Sequence, residues 1–140
     1  MTLTVEVAYL PEHRKNPIWP NSAEELVGIV DQFSTGERPS CTLMWIILTD
    51  DQDETSILFV GISPGASTGS LLFQGEEGQF FSKGLDDAEG IEEYFDFGEC
   101  RRHPENSKID ISGVRAAVAE FYSISGKLPK CIEWQDYVEY

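Results

Sequence analysis

The fold turns on residues 42–62, which read Thr42-Leu43-Met44-Trp45-Ile46-Ile47-Leu48, then Asp50-Asp51-Gln52-Asp53-Glu54, then Ser56-Ile57-Leu58-Phe59-Val60-Gly61-Ile62. Two apolar, β-branched runs on either side of a polar tip predict an antiparallel hairpin. Neither run alternates with polar residues, so both strands are expected near the centre of a sheet, covered on both faces. Downstream, residues 70–74 and 79–82 flank Gly75-Glu76-Glu77-Gly78, a second hairpin with a second acidic tip. Gly65 and Gly69 read as the turn between the hairpins, and residues 84–90 as an acidic loop. Residues 91–97 place Glu93, Phe95 and Phe97 on one parity and Glu92, Tyr94 and Asp96 on the other, the pattern of an edge-like strand.

Upstream, Leu3, Val5, Val7 and Tyr9 alternate with polar or small residues and predict a half-buried strand ending at Pro11. After the turn at Pro17, Pro20 and Asn21, Ser22 and Glu25 have capping-box spacing. Leu26, Ile29, Val30 and Phe33 then recur at helical intervals up to Gly36, which predicts a helix over 22–34. Residues 101–108 have turn chemistry and no periodicity, with His103-Pro104 in a rigid turn. Ser112 is expected to cap a second helix lined by Val114, Ala117, Val118, Phe121 and Tyr122, stopped by Gly126 and Pro129. A short strand is expected at 130–134. Too few helices separate the strands for a parallel α/β sheet. The expected fold is α+β, with two helices packed on a mainly antiparallel sheet of about six to seven strands. With 140 residues, 41% of them hydrophobic and 11% aromatic, the chain fits one domain, 1–140, with a real core and is too apolar to be disordered.

Charge is distributed unevenly. Ten Lys and Arg against 25 Asp and Glu leave −15 at pH 7. Residues 1–40 carry a net −3, residues 41–100 a net −12 with Lys83 as the single base, and residues 101–140 a net 0. Such a field repels phosphate backbones and anionic lipid, so direct binding to nucleic acid or a membrane is not expected. It attracts basic proteins instead. The start of the chain has no basic, apolar leader, and the longest apolar run, residues 43–48, is far short of the ~20 residues that span a bilayer. A cytoplasmic location is expected. Cys41, Cys100 and Cys131 read as reduced thiols in the core.

Sequence patterns for catalysis are weak. Runs such as Glu76-Glu77 or Asp86-Asp87 read as solvated loop charge, because catalytic carboxylate pairs need opposed placement and separated pKa values. An EF-hand loop counted from Asp51 would need Gly at its sixth position and Glu at its twelfth, where Ser56 and Ile62 stand. Cys100 and His103 have ligand spacing, yet only His13, Cys41 and Cys131 remain to complete a zinc site. Gly61, Gly65 and Gly69 lack the Lys-Ser/Thr of a phosphate-binding loop. Trp45, Trp134 and Phe80-Phe81 are expected in the core, and Trp19, flanked by Pro17 and Pro20, at the surface. No cofactor and no metal is expected.

Several segments resemble the first family of immunity proteins of bacterial polymorphic toxin systems, which often accompany deaminase-type toxins. They are Val5-Glu6-Val7-Ala8-Tyr9, Leu71-Leu72-Phe73-Gln74-Gly75 with Gly78-Gln79-Phe80-Phe81-Ser82, and Phe97-Gly98 followed by His103-Pro104-Glu105-Asn106-Ser107. To these are added Val114-Arg115-Ala116-Ala117-Val118-Ala119-Glu120-Phe121 and the most specific piece, Gly126-Lys127-Leu128-Pro129-Lys130-Cys131-Ile132-Glu133-Trp134. The resemblance runs from about residue 3 to 134. It implies a toxin-neutralising protein that acts by stoichiometric binding, with no catalytic residues and with Trp134 and Gly75 serving the fold. The charge pattern gives that function a physical form, since a toxin acting on nucleic acid needs a basic groove. The expected contact residues are Asp50, Asp51, Asp53, Glu54, Glu76, Glu77, Asp86, Asp87, Glu92 and Glu93. The alternatives are a small cytosolic enzyme with a Cys/His or two-carboxylate site, and an acidic nucleic-acid mimic that inhibits another DNA-binding protein.

Overall fold

The computed structural model describes residues 3–35, 42–63, 65–84, 89–96 and 99–140, the side chain of Asp96 excepted. The expectations placed on Gly36, Cys41, Asp86, Asp87 and Phe97 lie outside the described residues. In chain order the elements are β1 (Thr4–Ala8), α1 (Ala23–Thr35), β2 (Leu43–Thr49), β3 (Thr55–Gly61), β4 (Thr68–Gly75), β5 (Gly78–Ser82), β6 (Ile91–Asp96), β7 (Glu99–Pro104), β8 (Lys108–Asp110), α2 (Ile111–Ser123) and β9 (Trp134–Asp136). The fold is α+β. A seven-stranded sheet runs β1-β2-β3-β4-β5-β9, with β8 paired to β4, and β6 and β7 form a separate two-stranded ribbon. Every strand pairing within the sheet and within the ribbon is antiparallel.

The apolar hairpin is central. Leu43 pairs with Gly61 and Thr49 with Thr55, so alternate side chains of the two strands leave the sheet on opposite faces. Met44, Ile46, Leu48, Leu58 and Val60 enter a core shared with Leu26, Val30 and Phe33 of α1 and Val114, Ala117, Val118 and Phe121 of α2. Leu43 and Phe59 enter a second cluster on the other face, with Leu72, Phe81 and Tyr94. Burial of each such side chain stabilises the fold by about 2 kcal/mol. The helices cover one face and the ribbon covers the other. Tyr137 and Tyr140 also lie against Phe81, with ring centroids 5.3 and 6.1 Å away.

Local chemistry sets the helix ends. Ser22 Oγ accepts the Glu25 amide at 3.1 Å, as capping-box spacing requires, while the Glu25 carboxylate accepts the amide of Asn21. The second helix departs from expectation: Ser112 lies inside its first turn and Asp110 holds the cap position. The cause is β8, which pairs Thr68–Ser70 with Asp110–Lys108 and hands the chain directly to the helix. At the far end Gly126 adopts φ +84 and donates its amide to Phe121 O at 2.9 Å.

Four further expectations are corrected. Residues 101–104, expected to open a turn over 101–108, belong to β7, whose periodicity is hidden because its inward positions are Arg101 and His103. The last strand begins at Trp134, four residues later than expected. Residues 130–133 stay outside the sheet, where Lys130 N donates to the Glu120 carboxylate at 2.6 Å and Trp134 Nε1 donates to Pro129 O at 2.6 Å. Gly69 belongs to β4 instead of the preceding turn, at a spot where a Cβ would stand 2.8 Å from Ile62 Cγ1. Cys100 and Cys131 are exposed rather than core residues. Phe81 is buried, Trp45, Trp134 and Phe80 are partly buried, and Trp19 is 53% exposed.

Candidate functional site

Strand pairing carries the two acidic tips to the same end of the sheet. Ile57 near the start of β3 pairs with Gln74 near the end of β4, so the β2–β3 and β4–β5 turns lie side by side. In the first, Asp50 Oδ1 accepts the amides of Gln52 and Glu54, both at 2.9 Å, which commits that carboxylate to shaping the turn. Asp51, Asp53 and Glu54 are exposed. In the second, Gly75 pairs with Gly78, and Glu77 accepts the amide of Leu128 at 2.8 Å, which ties in the chain beyond α2. A Cβ at Gly75 would come within 2.6 Å of Phe73 Cζ. The three turns enclose a cleft of about 310 Å³ whose charged lining is Asp50, Glu54, Glu76, Glu77 and Lys127. Four carboxylates there face one ammonium.

The remaining described acids of the expected set lie elsewhere, on the ribbon. Glu92 shares the inward parity of β6 and forms an ion pair with Lys108, which Glu105 also contacts at 3.2 Å. Burial alone would lower the Lys108 pKa, but the hydrogen bonds to Glu92 and Glu105 outweigh it and hold the value above the usual one. Glu93 has the outward parity and accepts a hydrogen bond from Cys100 Sγ at 3.2 Å. That bond, then desolvation and the Glu93 charge, push the Cys100 thiol pKa up against a smaller opposing effect of Arg102. The ten acids therefore divide into a hairpin-tip group and a ribbon group, with Asp86 and Asp87 outside the described residues.

Cys100 and His103 stand three apart on one strand, so their side chains leave opposite faces of β7. Cys100 is outward and exposed, whereas His103 is 1% exposed and lies between Phe81 and Tyr94, each 4.9 Å from its ring centroid. His103 Nδ1 is 2.6 Å from Ser70 Oγ, Ser70 Oγ is 2.6 Å from Ser107 Oγ, and Ser107 donates to Pro104 O at 2.6 Å. A hydroxyl carries one proton. Ser107 gives its own to the carbonyl and must accept from Ser70, which in turn must accept from His103. The imidazole is thus the Nδ1–H tautomer and donates to the serine, the reverse of a base activating a nucleophile. Its Nε2 has no hydrogen-bond partner among the described residues. Burial, followed by the nearby Arg101 charge, lowers the His103 pKa to about 3. Cys131 is raised to about 11 by desolvation and then by its hydrogen bond to Glu120. His13 accepts the amides of Tyr9 and Leu10 through Nδ1, at 3.2 and 3.1 Å. Among the described residues no group of three or more His, Cys, Asp or Glu is placed to hold a metal ion.

The buried Ser70–His103–Ser107 network escapes sequence reasoning. Its only local signal is a serine opening the apolar run Ser70-Leu71-Leu72-Phe73.

No curated protein matches the chain. A family model described as Immunity protein Imm1 matches residues 14–136, a span that runs from the segment between β1 and α1 to the end of β9. The chain therefore belongs to the Imm1 family of immunity proteins.

Proposed function

We propose that this immunity protein neutralises a cognate toxin domain of the nucleic-acid deaminase type by stoichiometric binding through its acidic surface, and that it does so in the cytoplasm. The observation that carries the reading is the convergence of Asp50, Glu54, Glu76 and Glu77 on one cleft at the end of the sheet, within the −12 segment. A toxin that grips nucleic acid presents a basic groove, and this surface is its electrostatic complement. Attraction at a distance speeds capture, which matters when free toxin harms the cell that makes it. The contact set comprises Asp50, Asp51, Asp53, Glu54, Glu76, Glu77, Asp86, Asp87, Glu92 and Glu93. Inhibition by binding alone, without catalysis, accords with a histidine that donates to its serine and a cysteine on the opposite strand face. No described helix is long and apolar enough to cross a membrane.

Co-expression with the C-terminal toxin domain encoded by the adjacent upstream gene tests the reading. Growth should be rescued and a complex should co-purify; unchanged killing and no complex would refute it. Charge reversal at the tips, Asp51→Lys with Glu76→Lys, should slow association at low salt and have little effect at high salt.

A further inference from the structure

The outward face of the ribbon exposes two large apolar side chains where solvent should favour polar residues. Ile91 and Phe95 are 46% and 51% exposed, although both sit in a regularly paired strand whose inward neighbour Tyr94 is 1% exposed. They share one parity with Glu93 between them, and Cys100 stands opposite Phe95 on β7. The sequence around them is mainly acidic, with seven acids and no base between Lys83 and Arg101, although Arg102 stands opposite Glu93 on this face and Arg101 is ion-paired with Glu99. Of the acids, Glu92 is paired with Lys108 on the inward side, while Glu89, Glu93 and Glu99 are exposed. Half-exposed Phe and Ile inside a charged, mainly acidic rim are the makings of an interface centre, in which aromatic and aliphatic anchors supply most of the binding energy and the rim excludes water.

We infer that this ribbon face is the apolar anchor of the toxin complex, with Phe95 and Ile91 seated in an apolar hollow of the toxin whose edge is basic. The inference rests on the proposed function and divides the labour of the acidic surface. The hairpin tips act through their field on the rate of encounter, and the ribbon governs how long the complex lasts. The occupant is a toxin surface with a basic rim, which the net charge of −15 attracts, and not a second copy of this chain, which the same charge repels.

The test uses the full chain with a catalytically inactivated form of the adjacent toxin domain. In the unmodified protein, maleimide labelling of Cys100, read by peptide mapping, should slow at least tenfold in the complex, while Cys131 in the same sample keeps its rate. The variant Ile91→Ser with Phe95→Ser should weaken binding by about 30-fold or more, through faster dissociation, at an unchanged urea midpoint. If the unmodified chain fails to bind the toxin, the proposed function falls and this inference with it. If it binds, but Cys100 stays equally reactive and the variant binds equally well, only the ribbon inference is overturned. A dimer of the free protein in sedimentation that the same variant dissolves would assign the face to a second copy and overturn it as well.

Discussion

Tyr94 rests on Gly61 so closely that a Cβ at position 61 would stand 2.6 Å from Cε1 of the ring. This contact seats the ribbon on the sheet, because Gly61 closes β3 and Tyr94 is the buried inward residue of β6. Gly61→Ala should force the ring away and destabilise the protein by about 1–3 kcal/mol, the usual cost of overpacking. Urea unfolding measures it. A loss below about 0.5 kcal/mol would show that the ribbon shifts without cost.

His103 makes stability depend on pH. Its folded pKa of about 3 lies below the ordinary imidazole value of 6.5, so between these values the unfolded chain binds the extra proton. Stability from keeping this imidazole neutral is fully present above about pH 6.5 and is lost as pH falls toward 3. On the order of 3 kcal/mol should disappear between pH 7.5 and 4.5. Carboxylates titrate in the same range, so the readout is the difference in unfolding free energy between the wild type and His103→Gln at each pH. Parallel curves would place the proton elsewhere.

Ser70 is the acceptor that fixes the His103 tautomer. Ser70→Ala would leave the buried Nδ1–H without its partner and should cost about 1–3 kcal/mol. In a double-mutant cycle, Ser70→Ala should cost much less in a His103→Phe background, where no ring donor remains to be satisfied. Equal costs in both backgrounds would separate the two residues energetically.

Thiol reactivity follows from the carboxylates beside the cysteines. Glu93 holds the Cys100 pKa up by accepting its S–H, so Glu93→Gln should lower that pKa and speed maleimide labelling of Cys100 at pH 7.5 several-fold. Cys131, next to Glu120, should keep its rate. An unchanged Cys100 rate would mean that the Sγ–Glu93 bond does not form in solution.

What could be read from the sequence follows from how local each signal is. The central hairpin is legible because residues covered on both faces are apolar in an unbroken run, and α1 because Ser22 and Glu25 mark its first turn. Strand β7 is not, since two of its inward positions hold Arg101 and His103, whose burial depends on Phe81, Tyr94 and Ser70 far away in the chain. Ser112 has the chemistry of a cap, and only the pairing of β8 with Thr68–Ser70 moves the start of α2 back to Asp110. Cys100 reads as a core residue only while β7 is hidden, since the solvent face of that strand appears only with its pairing to β6. The acids themselves can be counted in the sequence. That Glu54 and Glu76 share a cleft while Glu92 meets Lys108 follows only from the strand register.

The two apolar clusters on opposite faces of the sheet share no residue. Substitutions on the outer surface of the ribbon therefore leave the contacts between α1, α2 and the sheet untouched. Only the skin of the ribbon is expendable to the fold, because its inward face, through Tyr94 and His103, stays fastened to the sheet.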